Sequence, residues 1–430
     1  MRQSSTGEKG QRTPIAQVVV ASFIGTTIEW YDFFLYGTAA ALIFNRLFFP
    51  TFDSLVGTLA AFGTYAVGFV ARPLGGIVFG HYGDKIGRKS MLSLTLLLMG
   101  TATFCIGLLP TYNTLGVWAP VLLVALRVVQ GFGVGGEWGG AVLMAVEHAP
   151  PGARGFYGSW PQMGVPAGLL LSSAAFVALS GLSEEQFLSW GWRLPFLLSI
   201  LLVLVGLVIR LRILETPAFL RVKETGSELK LPIVDVLRTH RREVLLAIGA
   251  RFVENGAFYI YTVFLLVYGT QRVRLDRQTL LTGVLLGAVC LLAAIPVCGW
   301  LSDRLGRRPV YLFGACFSAA FAYPLFMLVD TGQAAFVWLA LILVLVLGHA
   351  PMYGPQAAFF SELFGSRVRY TGASLGSQLS SVLAGGLSPF IATALLPYGR
   401  GALAAYIIAM ALVTIIAVAM AHETRDVSID

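Results

Sequence analysis

Residues 80–89 read GHYGDKIGRK, and residues 299–308 read GWLSDRLGRR. Asp84, Gly87 and Arg88 stand 219 residues before Asp303, Gly306 and Arg307. A second pair recurs at nearly the same offset: Glu147 and Arg154 stand 215 residues before Glu362 and Arg369, with the same internal spacing of seven. Two independent motifs at one period mark a duplicated unit. Each motif sits in a short polar gap between apolar runs, so the duplicated unit is a set of apolar segments.

Those runs are too long and too bare of charge for a soluble core. Of the 430 residues, 57% are hydrophobic and 12% charged, against about 25% charged in a usual soluble domain. Runs such as LVGTLAAFGTYAVGFVA at 55–71, LLSILLVLVGLVI at 197–209 and LVTIIAVAMA at 412–421 approach the ~20 residues that carry a helix across ~30 Å of hydrocarbon. Within a bilayer the backbone must satisfy itself, so helices are the default, and the alternating segments of a membrane barrel are absent. The net charge of +8 does not point to nucleic acid, because the basic residues lie in the gaps between runs. Cys105, Cys290, Cys298 and Cys316 fall inside apolar runs without C-x2-C spacing, so neither a metal site nor a disulfide framework is predicted, and no cofactor is implied. The run from Ala16 carries Glu29 and Asp32 and is too long for a cleaved signal, so it reads as the first span.

The chain predicts twelve spans, at about 16–44, 55–79, 91–109, 117–146, 156–180, 194–212, 242–268, 279–301, 310–329, 333–361, 371–396 and 401–421. Lys and Arg in and flanking the gaps divide 21 on one face against 6 on the other, which places both termini in the cytoplasm. The one long polar stretch, 213–241, then lies in the cytoplasm too. It divides an all-α membrane protein into two pseudo-symmetric six-helix bundles, 1–212 and 242–430. In repeats of this kind the substrate site sits between the halves near the bilayer midplane. No nucleophile–base arrangement appears, so an enzyme is not predicted.

Longer motifs carry a resemblance. RVVQGFGVGG at 127–136 and the two charged gaps resemble the major facilitator superfamily. IEWYDFFLYG at 28–37, FVARPLGG at 69–76, GGEWGGAVLMAVEHAPPGARGFYGSWPQMG at 135–164 and SWGWRLPFLLSI at 189–200 are similar to its metabolite:proton symporter branch, which includes shikimate, dicarboxylate and proline/betaine carriers. The stretch WYDFFLYGTAAALIFNRLFFP at 30–50 most resembles the shikimate type. The resemblance implies a monomeric inner-membrane carrier that takes up a small organic acid with protons by alternating access. A carrier of a zwitterionic osmolyte (proline or betaine) and a drug/proton antiporter are the alternatives. Osmosensing proline/betaine members carry a long charged coiled coil after the last span; HETRDVSID here holds no heptads.

Charges inside spans are costly and mark function by default. Glu29 and Asp32 share one face of span 1, continued by Tyr36, and Arg127 lies at similar depth in span 4. Burial and a nearby guanidinium act oppositely on a carboxyl, which suits one that takes and releases a proton. Asp32 is therefore expected to pair with Arg127 and to release it on protonation; the alternative is a static bridge between spans 1 and 4. Glu137, after the glycines of GFGVGG, is either a second protonation site or a structural partner, beside Trp138. Arg251 and Glu254 lie three apart in span 7: Arg251 either grips a substrate carboxylate or pairs locally with Glu254. The resemblance adds Gln162, Tyr353, Gln356 and Gln378 as substrate contacts, whereas a lone His349 reads as packing. Pro161 and Pro166, with Pro351 and Pro355, weaken matching spans 5 and 10. Arg72 is expected near the cytoplasmic mouth, steering anions or clamping the charged gap. Asp84, Arg88, Glu147, Arg154, Asp303, Arg307, Glu362 and Arg369 are expected to form a cytoplasmic gate of pairs worth ~0–1 kcal/mol each when exposed; the alternative is topogenic charge alone.

Overall fold

Helix is the one structure this chain can hold in hydrocarbon, because each segment satisfies its own backbone groups. The computed structural model describes residues 15–86, 88–135, 142, 145–146, 149–179, 181–212, 238–364 and 369–427; of these, 15–18, 80–92, 209–212 and 369–371 are described in backbone only. No strand occurs among them. Eight helices are long and apolar enough to span: α2 (Ser54–Phe79), α5 (Arg154–Leu179), α7 (Arg241–Val273), α8 (Arg277–Leu305), α9 (Arg307–Asp330), α10 (Ala334–Leu363), α11 (Gly372–Tyr398) and α12 (Arg400–Met420). A bent pair, Glu184–Gly191 with Arg193–Val208, makes α6, and the shorter apolar helices Ser93–Leu108 and Trp118–Val134 make α3 and α4. With α1 (Ile15–Leu42), whose apolar run Glu29 and Asp32 interrupt, the twelve expected spans are all present and in order.

The charged gaps are tighter than the sequence suggests. Gly306 alone separates α8 from α9, at φ 105°, in the left-handed region that favours glycine. The polar residues of 299–308 thus lie on helix turns rather than on a loop. In the first half the helical backbone likewise runs to Ile86 and restarts at Arg88.

The bundles meet through exchanged pairs. α5 packs on α8 and α10, and α2 packs on α11. Exchanging the halves turns the α5–α8 contact into the α11–α2 contact, as a duplicated unit requires. α7 is the most enclosed element, 94% buried over its apolar window against 39–56% in the other seven. Its counterpart α1 is buried continuously from Ile28 to Ala41. The two helices that carry paired ionisable residues are therefore the two at the centre.

Where α5 crosses α8, glycine faces glycine: a Cβ on Gly299 would stand 2.5 Å from the Gly155 carbonyl oxygen. Small residues let membrane helices approach this closely. Gly299→Val is expected to weaken this closure by about 1–3 kcal/mol. In a background without the four native cysteines, a cysteine at Ser159 is then labelled by a membrane-impermeant reagent roughly tenfold faster or more. Unchanged labelling would show that the crossing does not govern access.

Candidate functional site

Four helices, α1, α5, α7 and α10, enclose a central cavity of no more than about 220 Å³, whose walls include Trp30, Arg251, Glu254, Tyr259, His349 and Tyr353. The room it leaves for water is only about 10 Å³, about one water molecule, so the walls lie closed on one another and the space sets no cargo size. Helical spacing puts these groups together. Arg251, Glu254 and Phe258 share one face of α7, and His349, Tyr353 and Gln356 share one face of α10. Both faces are re-aimed by wider π turns, at Ile260–Phe264 and Val344–His349, a feature frequent at functional sites.

Glu254 organises the polar side of the cavity. Arg251 Nε donates to its Oε2 at 3.3 Å, and Gln356 Nε2 donates to the same oxygen at 2.8 Å. Gln356 also donates to the Tyr311 hydroxyl at 3.1 Å, and Tyr311 donates to the Ala250 carbonyl at 3.0 Å. Arg251 Nη1 reaches Ser377 on α11. Arg251 and Glu254 are thus locally paired. His349 stacks on Phe258 at 4.3 Å and Tyr353 at 4.9 Å, with Nδ1 3.6 Å from Glu254 Oε1 and Nε2 without a partner. Read from sequence as packing, it lines the cavity. Its place one turn before Tyr353 was the signal. Trp30 and Tyr259 were not singled out, since one aromatic among 52 Phe, Trp and Tyr carries no mark.

A second cluster joins α1, α2 and α4. Arg127 lies over the rings of Phe33 (4.2 Å), Tyr36 (4.3 Å) and Tyr65 (4.8 Å). Its Nη1 donates to Gln130, and Gln130 Nε2 donates to the Thr103 hydroxyl at 2.7 Å. Tyr36 shares a hydrogen bond with Thr64 at 2.6 Å, so it braces Arg127 rather than facing the cavity. The expected Asp32–Arg127 ion pair is absent among the described residues. Aromatic rings of α1 itself cover the guanidinium, and Gln130, three residues on, takes its donor. Neither Asp32 oxygen has a partner of hydrogen-bond geometry. The neighbouring Thr103 hydroxyl has committed its one proton to the Met99 carbonyl. Arg72 also differs from expectation. It is 3% exposed and lies over Phe33 (4.1 Å), Phe69 (4.6 Å) and Trp30 (5.5 Å), not at a charged gap. Glu29 is buried and close enough to Arg72 to act on it electrostatically.

Gln162 and Gln378 bridge the halves. Gln162 Nε2 donates to the Tyr353 carbonyl, α5 to α10, and Gln378 Nε2 donates to the Gly135 carbonyl, α11 to the end of α4, each at 3.2 Å. Exchanging the halves turns one bond into the other, so both amides are engaged with main chain across the interface.

At one end, a charge network closes the α5–α8 crossing. Asp303 accepts from the Gly155 and Phe156 N–H groups at 2.8 Å each, placing a carboxylate from the second half on the helix N-terminus of α5 in the first. Arg307 holds Asp303 at 2.6 Å and grips both Glu362 oxygens through Nε and Nη2, each at 3.1 Å. Arg154 lies 3.9 Å from Glu362 and donates to the Val427 carbonyl at 2.7 Å. Arg307 and Glu362 are fully buried, so the figure for exposed pairs does not apply. Removing one partner of a buried pair costs about 3–5 kcal/mol. The tail seals this end: Thr424 donates to Glu362 at 2.7 Å, and Glu423 accepts from the N–H groups of Arg307 and Arg308. Burial alone would raise the Glu423 carboxyl, but main-chain N–H groups outweigh it and hold it below the usual carboxylate range. This contact therefore persists at neutral pH and weakens only as pH falls through that lowered value. The side chains of Asp84, Arg88 and Arg369, and residues Glu137, Trp138 and Glu147, lie outside what the structure describes.

Twelve spans in two exchanged bundles around a buried charged centre define a multi-pass membrane carrier. The Major Facilitator Superfamily profile matches residues 22–389, and the chain belongs to that superfamily of small-molecule transporters. Two relatives come from Escherichia coli K12: a shikimate transporter, 44% identical over 93% of this chain and 92% of that protein, and the inner membrane metabolite transport protein YhjE, 42% identical over 96% and 95%. A proline/betaine transporter of the same organism is 33% identical over 96% of this chain and 84% of that protein. Among solved structures, the proton:xylose symporter XylE bound to 6-bromo-6-deoxy-D-glucose superposes with a TM-score of 0.75, at 17% identity over 96% of this chain and 97% of that one. At that identity the likeness concerns the fold.

A double-mutant cycle on Arg307→Gln and Glu362→Gln, read by thermal unfolding in detergent, is expected to give a coupling energy of about 1–3 kcal/mol. Additive effects would show that the two act separately.

Proposed function

We propose that this chain is a proton symporter for a small organic acid of the shikimate or dicarboxylate type. It works as a monomer in the inner membrane, with both termini in the cytoplasm, and 213–241 links halves 1–212 and 242–430. One observation carries the reading. Among the described residues, the buried arginine and acidic side chains of the centre, each 4% exposed or less, are three guanidiniums (Arg72, Arg127, Arg251) and three carboxyls (Glu29, Asp32, Glu254). Fully ionised, this set is neutral. A proton on Asp32 leaves one positive charge in excess, and a monocarboxylate restores neutrality; a dicarboxylate requires a second proton. An unbalanced buried charge is costly in hydrocarbon, so the carrier reorients when both ligands are bound or neither is.

Asp32 is assigned the proton because its oxygens lack partners, whereas Glu254 is held by Arg251 and Gln356. Protonation then reaches Arg127 by way of Thr103, which neighbours Asp32, and Gln130, which bridges Thr103 and Arg127, rather than by releasing a direct bridge; Glu29 belongs to the same set, and Glu137 is a second protonation site. Arg251, Glu254, Tyr353 and Gln356 line the polar wall for the substrate, and Gln162 and Gln378 open as the halves part. Arg154, Asp303, Arg307 and Glu362 close the cytoplasmic side, with Asp84, Arg88, Glu147 and Arg369 as counterparts in the repeat. The similarity to a shikimate transporter supports the choice of cargo, and the proton:xylose symporter XylE shares the fold.

Asp32→Asn in proteoliposomes is expected to abolish accumulation driven by an imposed pH gradient while leaving counterflow exchange of substrate largely intact. Gradient-driven accumulation at the wild-type level would sink the coupling role.

A further inference from the structure

Three guanidiniums lie at the centre, and they differ in what they have left to offer. Arg251 is engaged with Glu254 and Ser377. Arg127 gives Nη1 to Gln130. At both Arg72 and Arg127 the buried Nε and Nη2 have no hydrogen-bond partner. These two nitrogens form one edge of the planar fork, the edge with which a guanidinium takes a carboxylate through two parallel hydrogen bonds. This chain uses that edge so at Arg307, where Nε and Nη2 hold the two Glu362 oxygens. Buried donors left unmade are costly, and rings packed on the faces of a guanidinium do not satisfy its edge.

The two edges are equally buried but differ in what lies beside them. A Cβ on Gly68 would stand 2.5 Å from Arg127 Nε and 2.9 Å from its Cζ, so the backbone of α2 covers that edge. Arg72 instead lies directly behind the cavity wall, of which it is not itself a part. Trp30, over which it lies, is a cavity residue, and Phe69 packs on the cavity residue Tyr259 with ring centroids 5.3 Å apart. Phe33 and Phe69, perpendicular to each other with centroids 4.8 Å apart, pack together on one side of the Arg72 guanidinium.

We propose that Arg72 is the residue that binds the substrate's carboxylate, through its Nε and Nη2 edge, at the Trp30–Tyr259 side of the central cavity. Arg127 then supplies charge without contact, and the hydroxyl-bearing part of the substrate faces Glu254, Gln356 and Tyr353. The proposal rests on reading the cargo as an organic anion. It reassigns the RPLGG arginine from the gate to recognition, and it explains why a buried cation in α2 is surrounded by rings and not by a protein carboxylate at hydrogen-bond distance.

The test uses full-length protein in proteoliposomes, with shikimate and shikimate carboxamide as probes, at matched abundance. In the wild type the acid is expected to have an apparent KM at least tenfold below that of the amide. Arg72→Gln is expected to collapse this ratio towards one, by raising KM for the acid roughly 10- to 100-fold with little change for the amide. Arg72→Lys, which keeps charge without the fork, is expected to fall between. Equal losses for acid and amide in both variants would overturn the assignment in favour of a structural role, as would an unchanged ratio. If the wild type accumulates betaine and neither shikimate nor 2-oxoglutarate, the anion reading fails, and the role of Arg72 is then decided by the same ratio measured on betaine, which also carries a carboxylate, against its amide. If the glutamine variant does not reach the membrane, the lysine variant alone decides by the same ratio.

Discussion

Everything at the centre of this molecule follows from the difficulty of keeping charge in hydrocarbon. Six ionisable side chains sit on α1, α2, α4 and α7, each almost wholly buried. Such groups persist in a membrane only when opposite charges or hydrogen bonds balance them. Local matching is incomplete. Among the described residues, Glu254 is surrounded by donors, whereas Asp32 has none in hydrogen-bond geometry and two arginines present an edge to no carboxylate. Balance among the described residues is thus reached over the whole set, and on the proposed reading a proton and a monocarboxylate are the two additions that preserve it together.

The closed end obeys a different rule. There the charges pair directly: Asp303 on the start of α5, Arg307 on Asp303 and Glu362, and the tail on Glu362. Glycine meets glycine beneath them. A network of specific bonds between two rigid bundles has two discrete arrangements, made and broken, which is what alternating access needs. The paired bonds of Gln162 and Gln378 extend the same logic towards the cavity, and their exchange symmetry means that no one helix carries the closure alone.

Much of this was legible in the residues. The 219-residue echo of Asp84, Gly87 and Arg88 in Asp303, Gly306 and Arg307 marked the repeat, and the apolar runs marked the spans, because period and hydrophobicity are local properties. Spacing also put Arg251 with Glu254 and aligned Tyr353 with Gln356. What spacing withheld was the neighbour across the interface. Asp32 and Arg127 lie at similar depth, yet Phe33 and Tyr36 lie over the guanidinium instead. Arg72 stands two turns from a charged gap in sequence but turns into the aromatic cluster, since α2 packs on α4 and α11. His349 was ambiguous for the same reason: a lone histidine reveals its role only when Phe258, Tyr353 and Glu254 are seen around it. The tail, read for the heptads it lacks, proved to hold the start of α9 to the end of α10.

The central claim is that an organic anion enters only with a proton. The most direct test is proton movement during substrate uptake, with no imposed gradient, in lightly buffered proteoliposomes supplied with shikimate outside. The account predicts that the external medium turns alkaline as shikimate enters, in step with it, and that a protonophore does not slow the entry. Shikimate entry without any change in external pH would contradict it.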